Sequence, residues 1–211
     1  MNVTNIENLA EKVVQRVKEK TGQTFEVEAS GRHIHLSEED LKTLCGENFE
    51  LNPVKYLSQP GQFVSQLRLT IVGPKGHLNN VVVLGPVRKN SQVEVSLTDG
   101  NTLGLKAPIR MSGDIEGTPG ITIVNGNKSI TIQEGLIVAK RHIHVKTSDK
   151  EKLGVTNGEI VKVKVLGKRP LIFDDVVIRI DDDFATYMHI DFDEANACGS
   201  SKGTQAYIVR G

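Results

Sequence analysis

Apolar residues recur every three to four positions near the start of the chain: Val3, Ile6, Leu9 or Ala10, Val13 and Val17. Glu7, Glu11, Lys12, Arg16 and Lys18 occupy the other faces, and Thr21-Gly22 ends the run. This period predicts an amphipathic helix over residues 1–20. Such a stripe most often covers the protein's own core; a targeting helix and a dimer contact are the other readings.

Beyond it the chain breaks into short runs rich in β-branched residues. Phe25–Ala29, His33–Leu36, Gln66–Val72, Asn80–Leu84 and Gln92–Leu97 form one set. Gly120–Val124, Ser129–Ile132, Leu136–Val138, Ile160–Val165, Val176–Ile180 and Tyr187–Ile190 form a second. Asp99-Gly100 and Pro74-Lys75-Gly76 read as turns. Only Ser37–Leu44 and Thr147–Leu153 look helical here, with Ser37 and Thr147 as N-caps and Asp40 placed almost as in a capping box. The pattern predicts a mostly-β architecture of small barrels with short capping helices.

Composition narrows the partners. The 26 basic residues balance 26 acidic ones, so no charge field advertises nucleic acid or a membrane surface. Aromatics are 4% with no Trp, which leaves little for base stacking. No apolar run approaches the roughly 20 residues a membrane helix needs, and the N-terminus lacks the apolar centre of a signal peptide. Cys45 and Cys198 are expected as free thiols in a cytoplasmic protein.

Self-comparison places the chemistry. Arg32-His33-Ile34-His35-Leu36 recurs as Arg141-His142-Ile143-His144-Val145. Downstream, Val81-Val82-Val83 through Leu103-Gly104 aligns with Val176-Val177-Ile178 through Cys198-Gly199 at a shorter offset, which fits a longer loop around Asn48–Phe63 in the first copy. Glu94 then falls opposite His189. On a strand, residues i and i+2 share a face about 7 Å apart along the backbone, so each His-x-His can aim two ring nitrogens at one cation. Five of the six histidines occupy these positions; His77 lies apart, in an expected surface turn. Five imidazoles and a carboxylate are too many for one open catalytic ion and suit two. Nitrogen-rich donors favour zinc, with cobalt, nickel or iron as substitutes.

Arg88, after Gly85-Pro86-Val87, has two readings: a surface arginine, or a clamp for phosphate or an oxyanion. Asp181-Asp182-Asp183 reads as a solvated turn, and Cys198, between Ala197 and Gly199, as a packed small residue. The phosphate loop, dinucleotide fingerprint and serine-nucleophile elbow are all missing from the sequence.

Together the paired Arg-His-Ile-His motifs, Gly85-Pro86-Val87-Arg88 with Gln92-Val93-Glu94, and Met188-His189-Ile190-Asp191 with Asp193-Glu194-Ala195-Asn196-Ala197 resemble the PduL-like phosphate propanoyltransferases. The resemblance runs from about Val27 to the C-terminus. It implies two small β-barrel domains related by the internal repeat, the first at 32–139 and the second discontinuous, 21–31 with 140–211. It implies two zinc ions per chain on His33, His35, Glu94, His142, His144 and His189, lying between the domains. Arg88 becomes the catalytic, phosphate-binding residue; Ser30, Lys55, Leu84, His189 and Asn196 line the coenzyme A side. Where family members can carry an arginine, this chain has Val82. The implied reaction interconverts acyl-CoA (propanoyl-CoA or acetyl-CoA) plus phosphate with acyl phosphate plus CoA. The implied setting is a homodimer in the cytoplasm, or inside a propanediol-degrading bacterial microcompartment beside its shell proteins. Two other readings of the donor set are a dinuclear metal hydrolase acting on esters or phosphoesters and a non-catalytic metal-binding module.

Overall fold

The computed structural model describes residues 3–20 and 22–210. Positions 1 and 2 of the expected helix, and 21 and 211 of the expected second barrel, lie outside them. Helix α1 (Val3–Lys20) leads into β1 (Thr24–Ser30), β2 (His33–His35) and α2 (Glu38–Cys45). Then come β3 (Pro53–Tyr56), β4 (Phe63–Val72), β5 (His77–Gly85), β6 (Gln92–Glu94) and α3 (Leu97–Leu103). Strands β7 (Ile109–Arg110), β8 (Ile121–Asn125), β9 (Lys128–Ile132), β10 (Leu136–Ala139) and β11 (His142–Lys146) follow. A 3₁₀ turn (Thr147–Asp149) runs into α4 (Lys150–Leu153), then β12 (Ile160–Val165), β13 (Leu171–Asp181), β14 (Tyr187–Asp191), α5 (Phe192–Cys198) and β15 (Gln205–Val209).

The chain divides into two compact units, Met1–Glu28 with Arg141–His189 and Asn196–Gly211, and Ala29–Lys140 with Ile190–Ala195. The first is organised by a closed six-stranded barrel, β1-β14-β11-β13-β12-β15. Period-two patterning fills it: Val163, Val165, Ile178 and Met188 point inward and are fully buried, while Lys162 and Lys164 point out. The second is organised by a nine-stranded sheet, β7-β10-β6-β2-β5-β4-β8-β9 with β3 on β4, a half-barrel where the sequence suggested a second full one. Its core packs Ile34, Leu36, Leu44, Leu69, Ile71, Val83, Val93, Ile123 and Leu136.

Strand register reproduces the repeat. His33 sits opposite Val82 in a parallel pair and Glu94 in an antiparallel one. His142 sits opposite Val177 and His189 in the same two senses. A helix follows each third strand, α3 and α5, and each ends on a left-handed glycine, Gly104 (φ 75) and Gly199 (φ 62).

Both of these helices escape the sequence pattern. Asp99-Gly100, expected as a turn, lies inside α3, where Ser96 and Asp99 form a complete capping box. Conversely Thr147 is no N-cap; the turn it opens has no side-chain cap. Ser37 does cap α2, accepting from Asp40 N at 3.1 Å, but Asp40 turns its own carboxylate to Ser91 and leaves the box incomplete.

Among the described residues, the expected stripe of α1 faces solvent. Leu9, Val13 and Val17 are 60%, 55% and 53% exposed. The helix is tied down near its end by polar groups: Lys18 Nζ donates to Ile208 O at 3.3 Å and lies over the Tyr207 ring. Burial of apolar area is what makes a helix stabilising, so deleting residues 2–19 should lower the melting temperature by no more than about 4 °C, or about 1 kcal/mol for a chain of this size. Thermal melts of the two forms check this; a larger drop would show that the stripe is covered.

Candidate metal centre

The central strand of the second unit, β2, is buried on both faces. Ile34 enters the core, while His33 and His35 take the opposite face at 5% and 3% exposure. Antiparallel pairing sets Glu94 of β6 beside His33. His33 Nε2 lies 3.1 Å from His35 Nε2 and 3.5 Å from Glu94 Oε2; His35 Nε2 lies 3.8 Å from Glu94 Oε1. His33 Nδ1 is 2.8 Å from Gly31 O, so this nitrogen carries the donated proton and Nε2 keeps its lone pair toward His35.

The closed barrel holds the second cluster. His142, His144 and His189 have ring centroids 4.6, 5.1 and 4.8 Å apart, and Phe184 stacks on His144 at 4.0 Å. His189 Nδ1 lies 3.6 Å from Glu28 Oε2. In each cluster the donor atoms lie within 4.8 Å of one another.

The donor chemistry fits a divalent ion at both clusters. His35 Nδ1 and both nitrogens of His144 are buried without a hydrogen-bond partner. An unpaired buried polar atom costs roughly 1–3 kcal/mol, and a cation in the second cluster would supply the partner for one nitrogen of His144. Two imidazole nitrogens facing each other at 3.1 Å in the first cluster likewise need a proton or a metal between their lone pairs.

Electrostatics keep His35 and His144 neutral and Glu94 ionised, the forms that bind a metal. Burial pushes His35 well below its ordinary value, and His33 and Arg88 push it further. Burial, then His142, His189 and Arg179, bring His144 down to about 2. Burial would depress His33 too, but Glu94 reverses this and the net shift is upward. Glu94 is held well below the usual carboxylate range: burial opposes ionisation, but His33, His35 and a hydrogen bond from Ser112 outweigh it. His35 and His144 stay neutral when folded and take protons when unfolded, so their contribution is complete above about pH 6.5 and falls below it. Glu94 adds a contribution lost at more acid pH still; His33 acts oppositely, stabilising below its unfolded value. Metal-stripped protein should therefore melt at lower temperature as pH falls from 7 to 5, as a pH series of melts would read out. A flat profile would mean that the histidines are not held neutral.

Arg88 belongs to the first cluster's surroundings. Its backbone N–H donates to Leu36 O at 2.9 Å, pinning the turn after β5 to the end of β2. Gly85 begins that turn because a Cβ there would run into the Phe63 ring. The Arg88 guanidinium donates to Ser112 Oγ at 3.0 Å, and Ser112 donates to Glu94 Oε1 at 2.7 Å. Ser30 lies beside the same cluster, its Oγ 3.4 Å from His33 Nδ1. Register aligns Lys55, Val64 and Leu84 in one row across β3, β4 and β5, with Lys55 exposed and Leu84 buried. Asn196 is exposed on α5. His77 opens β5 as an exposed strand residue, where a turn was expected.

Gln92 and Ser112 join the cluster without having been singled out in the sequence. Gln92 had a signal: it precedes Glu94 by two on one strand, so both share a face. Its Nε2 donates to Glu94 Oε1 at 2.6 Å. Ser112 sits in a Ser-Gly turn whose closeness to Glu94 only tertiary structure creates.

A family profile described as phosphate propanoyltransferase matches residues 26–201. The phosphate propanoyltransferase of Enterococcus faecalis is 57% identical over 206 residues, covering 98% of each chain. That of Clostridioides difficile is 58% identical over 205 residues, 97% of each. That of Listeria monocytogenes is 57% identical over 210 residues, 100% of this chain and 98% of the relative. With a match spanning most of its length and identities of this order to nearly full-length relatives, the chain belongs to the phosphate propanoyltransferase family of acyltransferases.

Proposed function

We infer that this protein interconverts acyl-CoA plus inorganic phosphate with acyl phosphate plus CoA, with propanoyl as first substrate and acetyl, one methylene shorter, as a second. The observation that carries this reading is the convergence of His33, His35 and Glu94 beside Arg88, in a chain of this family. A pocket separates substrates differing by one methylene by only about 1–3 kcal/mol, so both acyl groups should turn over.

His33, His35 and Glu94, with His142, His144 and His189, are assigned as the ligands of two zinc ions per chain. Bound there, these ions would supply charge neutralisation and Lewis acidity. Arg88 is assigned to phosphate, because its planar fork offers paired donors to two oxygens. Held this way, one phosphate oxygen bonds to the thioester carbonyl carbon. The tetrahedral oxyanion then collapses with loss of the C–S bond, and the proton that phosphate carried ends on the CoA thiol. Positioned donors at the developing oxyanion are the largest contribution in such acyl transfers. No protein nucleophile is required: Cys198 is fully buried, and burial pushes the Cys45 thiol up despite a hydrogen bond from Asn125. Ser30, Lys55, Leu84, His189 and Asn196 are assigned to coenzyme A.

Among the described residues no helix is long and apolar enough to cross a membrane. We place the protein in the cytoplasm as a homodimer. The exposed Leu9, Val13 and Val17 of α1 suit a docking helix for microcompartment shell proteins.

The test is thiol release from propanoyl-CoA with and without phosphate. Release that requires phosphate supports transfer. Release without phosphate would instead mark a hydrolase, and no release at all a metal-binding module.

A further inference from the structure

We propose that Ser112, held by Gln92, is a positioning residue that sets the metal-ligand carboxylate and the phosphate-binding guanidinium in one fixed relation. A serine hydroxyl has one proton to give and two lone pairs to fill, and here all three are used. Ser112 Oγ donates to Glu94 Oε1 at 2.7 Å and accepts from Arg88 Nη1 at 3.0 Å and Gln92 Nε2 at 3.1 Å. Gln92 is equally committed. Its Nε2 donates to Glu94 Oε1 at 2.6 Å as well as to Ser112, and its Oε1 accepts from Gly113 N at 2.8 Å. That last bond fixes which way the amide faces, and Gln92 is only 2% exposed.

The turn presenting Ser112 is built for this. Asp114 N donates to Met111 O at 2.9 Å, and Gly113 at the third position has φ 98, a conformation that favours glycine. Ser112 is thereby held at the second position of the turn, above Glu94. The consequence for Glu94 is a division of labour between its oxygens. Oε1 is occupied by Ser112 and Gln92, while Oε2 faces His33 at 3.5 Å and is the oxygen left for an ion. The consequence for Arg88 is preorganisation: one arm of its fork is anchored through Ser112 to the same carboxylate before phosphate arrives. Outer partners of this kind typically change metal affinity or activity by about 10- to 100-fold.

The identity of the anion rests on the acyl-transfer reading; the anchoring of Glu94 does not. The experiment compares wild type, Ser112→Ala and Ser112→Thr. It reads zinc affinity by chelator competition, and kcat with separate KM values for phosphate and propanoyl-CoA. For Ser112→Ala we expect zinc affinity about tenfold weaker or more and a phosphate KM raised about tenfold, with the propanoyl-CoA KM changed less than about twofold. Ser112→Thr, which keeps the hydroxyl, should restore most of both. Unchanged zinc affinity and phosphate KM in a folded Ser112→Ala protein would overturn the proposal. So would equal rises in both KM values without rescue by threonine, since general loosening predicts that. If Ser112→Ala does not fold, Ser112→Cys, which fills the space but bonds weakly, replaces it with the same expectations. If the wild type itself shows no phosphate-dependent thiol release, the acyl-transfer reading fails, and the zinc affinities alone decide the role of Ser112.

Discussion

Replacing His144 with alanine should lower phosphate-dependent acyl transfer by more than about a hundredfold, the upper end of what an outer partner alone costs. It should also remove bound metal. The reason lies in its two buried, unpartnered nitrogens. Each costs roughly 1–3 kcal/mol with no partner among the described residues, and a cation in the cluster would take one of the two. This gives the substitution an unusual signature. In metal-free protein, loss of the ring's packing on Phe184 is offset by removal of two unsatisfied groups, so the melting temperature should barely move. In metal-loaded protein the same change should cost the stabilisation that a ligand binding only the folded state provides. Parallel melts with and without chelator, beside metal analysis and turnover, check both halves. Equal destabilisation in both forms would make His144 a packing residue.

Replacing Arg88 with alanine should cut kcat/KM for phosphate by about 10²- to 10³-fold, the scale of losing one donor to a developing oxyanion. The propanoyl-CoA KM should change far less. Lysine should restore only part, because a point charge cannot supply two parallel donors. The structure adds a reason beyond charge: Arg88 is fixed at both ends, by its backbone bond to Leu36 O at 2.9 Å and its side-chain bond to Ser112 at 3.0 Å. A lysine at the same place keeps the first tie and cannot reproduce the geometry of the second. Steady-state kinetics with phosphate varied at saturating acyl-CoA read the effect. Unchanged phosphate dependence in Arg88→Ala would refute the assignment.

Much of the candidate metal centre was legible because it obeys local rules. His-x-His needs only strand alternation to bring two rings to one face, and duplication needs only self-comparison to pair Glu94 with His189. The observed registers carry both, with His33 opposite Glu94 and His142 opposite His189. What stayed hidden depends on tertiary contact. Gly100 looks like a turn residue because glycine disfavours helix interiors, yet α3 accepts it where a Cβ would stand 3.0 Å from Leu105 O. The half-barrel could not be told from a closed barrel, since closure depends on whether β7 and β9 meet and not on the alternation within either strand. Strand β15 has the right alternation and a flanking turn signal, the Gly/Ser-rich run Gly199–Gly203, yet was not among the expected strands. The stripe on α1 shows the opposite failure: a clear period predicted burial, and Leu9, Val13 and Val17 are exposed. Periodicity states that a face is apolar, and not what covers it.

We propose that these six side chains hold two catalytic divalent ions. Metal analysis of untagged protein, with activity followed through chelation and re-addition, tests it most directly. Close to two equivalents of zinc or a substitute per chain are expected, with transfer lost on stripping and regained on reloading. A protein free of metal and fully active in transferring the acyl group to phosphate would contradict it.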